Sequence, residues 1–378
     1  MPARRRHHRR PVALAAAVGL LIAAASPAGA SNDKYFDQQW NLTQIGAPAA
    51  WQQSTGKGVV IGVVDTGVDA GHPDLAGKID AMADCVGGTC KEGTARDGEG
   101  HGTAVAGIAA ARTDNGDGIA GVAPDAHLVV ARALGDRGTG DTEDINKAIA
   151  WVVDHGARVV NLSLGDPELA IVSRLGTPLR PGIEYAWSRG AIPVLAAGNY
   201  DGLSGSGSAN YGDLDAVVVG ATAKSGTVAG YSTSLGNAKW GLVAPGGSGD
   251  GPGADVISPM PGGRYAWVAG TSMATPHVAG ALALLLAQGL DPSAAVKRLL
   301  ATLDRTSCGS GCQGRLNVAA AVAPAAPAAA VGPAATAAAP FAEDTSLSPG
   351  LVALAFVLAA GAATATLRTW WWRVHTVA

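Results

Sequence analysis

The amino-acid sequence predicts a doubly wound α/β fold, in which a mostly parallel sheet is flanked by helices. Short, continuous apolar segments, typical of buried parallel strands, alternate with longer segments that have helical periodicity. The predicted strands are residues 59–64, 128–133, 159–164, 191–197 and 216–221. The predicted helices are residues 103–111, 144–155, 182–188 and 275–288. In such a fold the crossovers are right-handed, and ligands bind at the carboxyl ends of the strands.

The charge of the chain excludes one class of partner. Only 15% of the residues are charged, and the formal net charge is −3. A protein that binds nucleic acid needs a basic face, which this composition does not provide. We therefore expect no nucleic-acid partner.

Residues 1–30 are typical of a secretory signal peptide. Five arginines and two histidines lie within residues 1–10, and an apolar segment follows at 12–25. Small residues at 26–30 then provide a signal-peptidase site, so we predict cleavage after Ala30. The alternative is a membrane anchor, but an apolar segment of about 14 residues is shorter than the roughly 20 that a span requires.

The C-terminal region predicts a tether to a membrane. Residues 319–348 are rich in Ala and Pro, as in an extended linker. Residues 350–367 carry no charge and would be about 27 Å long as a helix, so we predict a single transmembrane helix at 349–368. The Trp and Arg side chains in residues 368–373 suit the interface between membrane and water on the cytoplasmic side. We predict a cytoplasmic tail at 369–378. We therefore expect a single-pass protein of the cell membrane with an extracellular domain at 31–318; the alternative is an Ala-rich helix packed on that domain.

The four cysteines form two local pairs in the sequence. Val-Gly-Gly-Thr separates Cys85 from Cys90, and Gly-Ser-Gly separates Cys308 from Cys312. Export permits disulfides, and four cysteines allow three pairings. We predict the local pairing, because the intervening glycines let the chain turn sharply. A zinc site is the weaker alternative, since neither spacing is Cys-x₂-Cys and no histidine is near either pair in sequence.

Three residues of different chemistry occupy positions where an α/β sheet exposes reactive groups. Asp65 follows the first predicted strand, His101 opens a helical segment, and Ser272 lies beside a glycine at the start of another helix. Alone, each has an ordinary structural interpretation as a turn residue, a solvent-facing histidine or a helix cap. Together they stand in the order Asp, His, Ser, which is one of the known orders of a nucleophilic catalytic triad.

The surrounding segments identify a family. The sequence resembles the subtilisin family of serine proteases, and within it the thermitase-like members, over residues 32–318. The segments that carry the resemblance are VVDTGVD at 63–69, HPDLAGK at 72–78, HGT at 101–103, GVAP at 121–124, SLG at 163–165, AAGN at 196–199 and GTSMATP at 270–276. Each is weak alone, but all of them occur in the expected order.

The resemblance implies a serine endopeptidase that forms an acyl-enzyme. Ser272 would attack the peptide carbonyl, His101 would accept and return the proton, and Asp65 would orient the imidazole. Asn199 matches the family's oxyanion-hole asparagine and would act with the Ser272 backbone N–H.

The resemblance also implies where a substrate would bind. Two segments, 136–140 and 163–165, correspond to the edges between which the family holds an extended peptide. The residues expected to line this groove are Gly138, Gly140, Ser163, Leu164 and Gly165. Because main-chain hydrogen bonds dominate such binding, we expect broad specificity with some preference for apolar residues before the cleaved bond.

A structural calcium site is the second feature that the resemblance implies. The loop 112–119, with sequence RTDNGDGI, is similar to the family's calcium loop. The expected ligands are the carboxylates of Asp33 and Asp74, the side-chain oxygen of Asn115, and the carbonyl oxygens of Arg112, Asp117 and Ile119. The alternative is an ordinary surface loop rich in Gly and Asp.

Two features depart from the family pattern. The predicted signal peptide runs almost directly into the domain, with no pro-domain of the usual length between them, and a predicted anchor follows. The anchor is similar to that of mycosins, the subtilisin-like proteases of type VII secretion systems. We therefore predict a membrane-anchored peptidase that cleaves exported proteins or peptides. The alternatives are a mycosin-like processing protease, with secretion-system components as partners, and a non-catalytic scaffold of a secretion complex.

Overall fold

An eight-stranded sheet forms the centre of the molecule in the computed structural model, which describes residues 31–164, 178–199, 211–324 and 373–376. The strands are β1 (Val60–Asp65), β2 (Ile79–Asp84), β3 (Lys91–Glu92), β4 (His127–Arg132), β5 (Val159–Leu162), β6 (Ile192–Ala196), β7 (Val217–Thr222) and β8 (Trp240–Pro245). Their order across the sheet is β3-β2-β4-β1-β5-β6-β7-β8. Every pair in it is parallel except β2 with β3. The predicted mostly parallel α/β sheet is therefore confirmed.

Helices cover both faces of the sheet. The α-helices of the described residues are α1 (Trp40–Ile45), α2 (Ala47–Ala50), α3 (His101–Ala110), α4 (Thr142–Asp154), α5 (Arg180–Ser188), α6 (Thr271–Ala287), α7 (Pro292–Ala301) and α8 (Val318–Val322). Apolar side chains of α3 and α6 pack in one core cluster, and those of α4 and α5 pack in the other.

Strand β1 is continuously apolar because its side chains pack into both core clusters. Ile61 and Val63 belong to the cluster with α3 and α6, whereas Val64 belongs to the cluster with α4 and α5. Since successive side chains point to opposite faces and both faces are covered, the strand needs apolar residues at every position. Gly62 faces Val152 of α4 closely enough that an added Cβ would lie 2.9 Å from the Val152 Cβ. A glycine therefore lets this helix approach the central strand.

Most boundaries differ from the predicted ones by one to four residues, and one difference affects the site. The helix predicted at 275–288 begins at Thr271, so Ser272 lies within its first turn. The sequence pattern also missed β2 and β8, as well as the antiparallel hairpin β9 (Val256–Met260) and β10 (Arg264–Ala269). Asp80 and Asp84 interrupt the apolar pattern of β2, and Pro259 interrupts that of β9. These strands lie near edges, where polar residues and proline are tolerated.

The hairpin pairs with a third strand from the C-terminal end. Strand β11 (Arg373–Thr376) runs antiparallel to β10, with Ala266 opposite Thr376 and Ala269 opposite Arg373. This segment belongs to the predicted cytoplasmic tail at 369–378. The location of this tail relative to a membrane stays a prediction.

Other predictions for the two ends fall on segments that are not described. The predicted signal peptide at 1–30, the transmembrane helix at 349–368 and linker residues 325–348 lie outside the described residues. Within the described ranges, no single helix is long and apolar enough to cross a membrane. Helix α8 extends to Val322, so the ordered domain continues four residues beyond the boundary placed at 318.

Both predicted local disulfides are present. Cys85 bonds to Cys90 directly after β2, with their Cα atoms 3.8 Å apart. Cys308 bonds to Cys312, with their Cα atoms 5.7 Å apart. The local pairing is therefore confirmed, and all four cysteines of the chain are oxidised.

Candidate active site

Asp65 and His101 form a buried hydrogen-bonded pair at the carboxyl end of the central strand. Asp65 is the last residue of β1 and is fully buried, while His101 is the first residue of α3 and is 3% exposed. The distance from His101 Nδ1 to Asp65 Oδ1 is 2.7 Å. Because a carboxylate accepts, we assign the hydrogen to Nδ1, which makes Nε2 the basic nitrogen.

A further acidic residue, which was not predicted from the sequence, joins the segments that carry this pair. Asp97 Oδ1 accepts hydrogen bonds from Gly100 N (2.7 Å), Thr66 Oγ1 (2.9 Å) and Glu99 N (3.1 Å). Its Oδ2 accepts from Thr103 N and Thr103 Oγ1 at 2.9 and 2.5 Å. Five donors stabilise this buried carboxylate, and they come from the end of β1 and the start of α3. An acidic residue four positions before a helix start was the signal available in the sequence.

The surroundings of His101 shift its pKa in opposite directions. Burial is the largest effect and lowers the pKa, because it disfavours the charged imidazolium. The charge and hydrogen bond of Asp65 raise it, and the charges of Glu99 and Asp97 add to them. Together these acidic groups outweigh burial, so the pKa of His101 lies above its ordinary value of 6.5. The site therefore stabilises a protonated His101.

Ser272 is the second residue of α6 and is 2% exposed. Its Oγ donates to the carbonyl oxygen of Ser163 at 3.2 Å. In return, Ser163 Oγ donates to the carbonyl oxygen of Ser272 at 2.8 Å. The segment after β5 is thus joined to the first turn of α6 by two hydrogen bonds.

Asn199 lies beside the first residues of α6, and Thr271 determines the orientation of its amide. Asn199 Oδ1 accepts from Thr271 N at 2.8 Å and from Thr271 Oγ1 at 2.9 Å. A Cβ added to Gly270 would lie 3.2 Å from Asn199 Nδ2 and 3.7 Å from Ser272 N. Asn199 Nδ2 and Ser272 N therefore both lie close to the same point beside Gly270.

The residues predicted to bind substrate differ in burial and in local backbone geometry. Ser163 is fully buried and Leu164 is 8% exposed, while Gly165 lies outside the described residues. Gly138 has a φ of +71°, which glycine adopts easily. Its N–H donates to Gly135 O and closes a tight turn. An added Cβ at Gly140 would collide with the carbonyl oxygen of Ala133. Close approach of the domain's own backbone therefore requires a glycine at position 140.

The predicted calcium loop closes around two carboxylates. Asp33 accepts from Asp114 N at 3.1 Å and from Asn115 N at 3.0 Å. Asp74 accepts from Ile119 N at 3.2 Å through its Oδ2. The remaining predicted ligands follow the same loop: Arg112 N donates to the carbonyl oxygen of Asp74, and Asp117 N donates to Asn115 Oδ1. The structure therefore brings all six predicted ligand residues into one loop region.

Asp74 shows that the interior of this loop suits a cation. Its side chain is fully buried, and it interacts with the side chains of Tyr265 and Asn115. Burial raises the pKa of Asp74 to about 7, although the N–H of Ile119 opposes this shift. Gly118 lies so close that an added Cβ would collide with Asp74 Oδ1 and with Tyr265 Oη. In the described part of the chain, no three His, Cys, Asp or Glu side chains form a metal-binding group, so amide and carbonyl oxygens would have to complete this site.

Comparison with known proteins identifies the family. A model of the subtilase family matches residues 56–332. The chain is 39% identical to thermitase from Thermoactinomyces vulgaris over 295 residues, which cover 77% of this chain and 98% of that protein. It is 38% identical to a thermophilic serine proteinase from Bacillus sp. (strain AK1), over 76% of this chain and 67% of that one. The chain belongs to the subtilase family.

The structure agrees with the sequences. A protease from Pseudoalteromonas arctica is 31% identical to this subtilase and superimposes with a TM-score of 0.67, over 77% of this chain and 98% of that one. Family membership and relatives near 40% identity make this subtilase a serine endopeptidase.

The balance of effects on His101 predicts a pH profile. Since only neutral His101 can accept a proton, kcat/KM should rise with pH through an inflection above 6.5. Asp65→Asn removes the main effect that raises the pKa of His101, so the inflection should move to lower pH, and kcat should fall by about 10⁴-fold.

The profile is measured with a chromogenic peptide between acidic and alkaline pH. Asp154→Asn, which changes an exposed carboxylate on α4, is the control and should keep the wild-type inflection. An unchanged inflection in Asp65→Asn would contradict the assignment of the basic group.

Proposed function

We propose that Asp65, His101 and Ser272 are the catalytic triad of this endopeptidase. The observation that carries the proposal is the buried hydrogen bond of 2.7 Å between His101 Nδ1 and Asp65 Oδ1. It holds Nε2 as the base in a pocket where the imidazolium is stabilised. The first turn of α6 and the neighbouring Asn199 supply the other two requirements, a hydroxyl nucleophile and N–H donors for an oxyanion.

The reaction begins with attack on the peptide bond. Ser272 Oγ bonds to the carbonyl carbon while His101 Nε2 takes its proton, and the carbonyl electrons move to the oxygen. Asn199 Nδ2 and Ser272 N donate to this oxyanion. Asp65 remains ionised and stabilises the imidazolium that has formed.

Collapse of the tetrahedral intermediate breaks the bond to nitrogen. His101 returns its proton to the leaving amine, and Ser272 is left as an ester of the substrate's acyl group. Water then attacks this ester with His101 as the base again, which releases the acid and restores Ser272. Removing one oxyanion donor typically lowers kcat by about 10²–10³-fold, so Asn199 should contribute on that scale.

Removal of the nucleophile tests the proposal. Ser272→Ala should reduce casein hydrolysis to background, because no other group supplies the acyl-enzyme. Ser293→Ala, an exposed serine on α7, should behave as wild type. Labelling by a fluorophosphonate should occur in wild type and in Ser293→Ala but not in Ser272→Ala.

The same experiment decides between a peptidase and a scaffold. Wild-type protein that is folded but neither hydrolyses casein nor reacts with the fluorophosphonate would contradict the peptidase and favour the non-catalytic scaffold. Activity on casein combined with narrow peptide preferences would favour the mycosin-like processing protease over a broad peptidase.

We also propose that the loop around Asp74 binds structural calcium. Asp33, Asp74 and Asn115 would supply side-chain oxygens, and Arg112, Asp117 and Ile119 would supply carbonyl oxygens, which suits a hard cation that takes six to eight oxygens. When bound, calcium would neutralise the buried carboxylates. The fully buried Asp74 Oδ1 supports this proposal.

Calcium removal should lower the melting temperature. If free calcium is about a hundredfold above its dissociation constant, EDTA should lower the melting temperature by about 5 to 10 °C. Asp74→Asn should melt at the same temperature with and without EDTA, whereas Asp80→Asn, on the exposed part of β2, should respond as wild type. A wild-type melting curve that EDTA leaves unchanged would rule out the site.

The location of the protein is the last proposal: we propose that residues 1–30 direct export and that residues 349–368 tether the domain outside the cell membrane. The composition of the two ends supports it. A tail inside the cell cannot form β11, so tethering requires that this strand leave β10 in the membrane-bound molecule.

Fractionation and labelling test the tether. Full-length protein should sediment with membranes and residues 1–345 should be released; equal release would contradict the anchor. Because all four native cysteines form disulfides, Thr376→Cys provides a single free thiol. A membrane-impermeant maleimide should label it only after lysis, and labelling of intact cells would place the tail outside.

A further inference from the structure

Proline at position 276 removes a helical hydrogen bond from the residue that the proposed function makes the nucleophile. In an α-helix each N–H donates to the carbonyl four residues earlier, and proline has no N–H. Pro276 lies inside α6, and the carbonyl four residues before it belongs to Ser272. The carbonyl group of Ser272 therefore lacks its normal helical donor.

Ser163 supplies the missing donor from another part of the chain. Its Oγ donates to the carbonyl oxygen of Ser272 at 2.8 Å, across 109 positions of sequence. Asn161 Nδ2 donates to the same Ser163 Oγ at 2.9 Å. Since a hydroxyl has one hydrogen, the bond received from Asn161 leaves that hydrogen for Ser272. All three residues are at least 98% buried, so water does not compete easily for these groups.

The neighbouring carbonyls of this turn receive their extra donors from within α6. Thr275 Oγ1 donates to Thr271 O at 2.9 Å, and His277 Nδ1 donates to Met273 O at 2.8 Å. Asn41 Nδ2 lies 2.8 Å from His277 Nε2, which is consistent with a neutral ring whose hydrogen is on Nδ1. The carbonyl of Ser272 lies between these two, and its donor comes instead from Ser163, in the segment after β5.

The side chain of Ser163 is also enclosed by the domain itself. It is fully buried, and both of its hydrogen bonds go to Asn161 and Ser272. The hydroxyl group therefore needs another explanation than substrate binding.

We propose that Ser163, oriented by Asn161, is a positioning residue that holds Ser272 through the carbonyl group that Pro276 leaves without a helical donor. The proposal rests on the assignment of Ser272 as the nucleophile. A hydrogen bond to the nucleophile's own carbonyl restricts the backbone that carries Oγ and the oxyanion donor Ser272 N. Displacement of a reacting group by about 1 Å can cost about 10²-fold in rate, so a backbone tie at this position affects kcat rather than binding.

The test uses the fact that the missing donor can be restored. Ser163→Ala should lower kcat by about 10- to 100-fold and change KM by less than about threefold. Pro276→Ala introduces a backbone N–H that can donate to the Ser272 carbonyl. The double variant Ser163→Ala/Pro276→Ala should therefore recover most of the lost kcat, and Pro276→Ala alone should stay near wild type.

Three outcomes would overturn the proposal. The first is a kcat for Ser163→Ala that equals wild type. The second is a raised KM with unchanged kcat, which would mean that the hydroxyl group serves substrate binding. The third is a double variant that regains the wild-type melting temperature but not kcat, which would mean that the carbonyl bond is only structural.

Two controls separate folding and chemistry from positioning. If Ser163→Ala alone does not fold, the double variant carries the test: a folded and active double variant supports the proposal, and a folded but slow one overturns it. The rate at which a fluorophosphonate labels Ser272 should follow kcat across the series. Failure of the triad assignment is distinguishable, because wild-type protein would then not be labelled at all.

Discussion

The buried carboxylate of Asp65 is the constraint on which the site depends. A charge at the end of a covered strand is costly unless hydrogen bonds and an opposite charge compensate it. Its partners in the structure are Thr66 N and His101 Nδ1, each at 2.7 Å from Oδ1. This requirement fixes where α3 must begin, and Asp97 holds that junction through donors on both sides.

The same principle applies on the other side of the site. The first turn of α6 must be held against the sheet if Ser272 is to face the imidazole. Asn199 receives two hydrogen bonds from Thr271, and Ser163 exchanges two with Ser272. The segments that follow β5 and β6 thus determine the position of α6, which is distant from them in sequence. The chemistry proposed for this subtilase depends on polar contacts between buried segments rather than on any one loop.

Residues with a local signature were predictable from the sequence. Asp65, His101 and Ser272 stand next to apolar strands or glycine turns, and the matching segments gave Asn199 its expected role. The parallel sheet was predictable too, because strands covered on both faces need continuous apolar residues. Local cysteine spacing predicted both disulfides, since glycine-containing loops of this length close easily.

Contacts that depend on distant segments were not predictable. Nothing in the sequence near residue 163 indicates that its hydroxyl group replaces a bond lost at Pro276. Nor does the sequence near Gly140 indicate that an added Cβ there would collide with the carbonyl oxygen of Ala133. The pairing of β11 with β10 joins residues separated by about a hundred positions, and periodicity carries no information about such partners.

The local disulfides have a consequence for biogenesis. Each links cysteines only four or five positions apart, so each pair can form before the rest of the domain has folded. A wrong pair would join opposite ends of the domain across a much longer loop, which closes at a greater entropic cost. Oxidation of this chain should therefore need little disulfide exchange by an isomerase, and formation of the sheet need not depend on it.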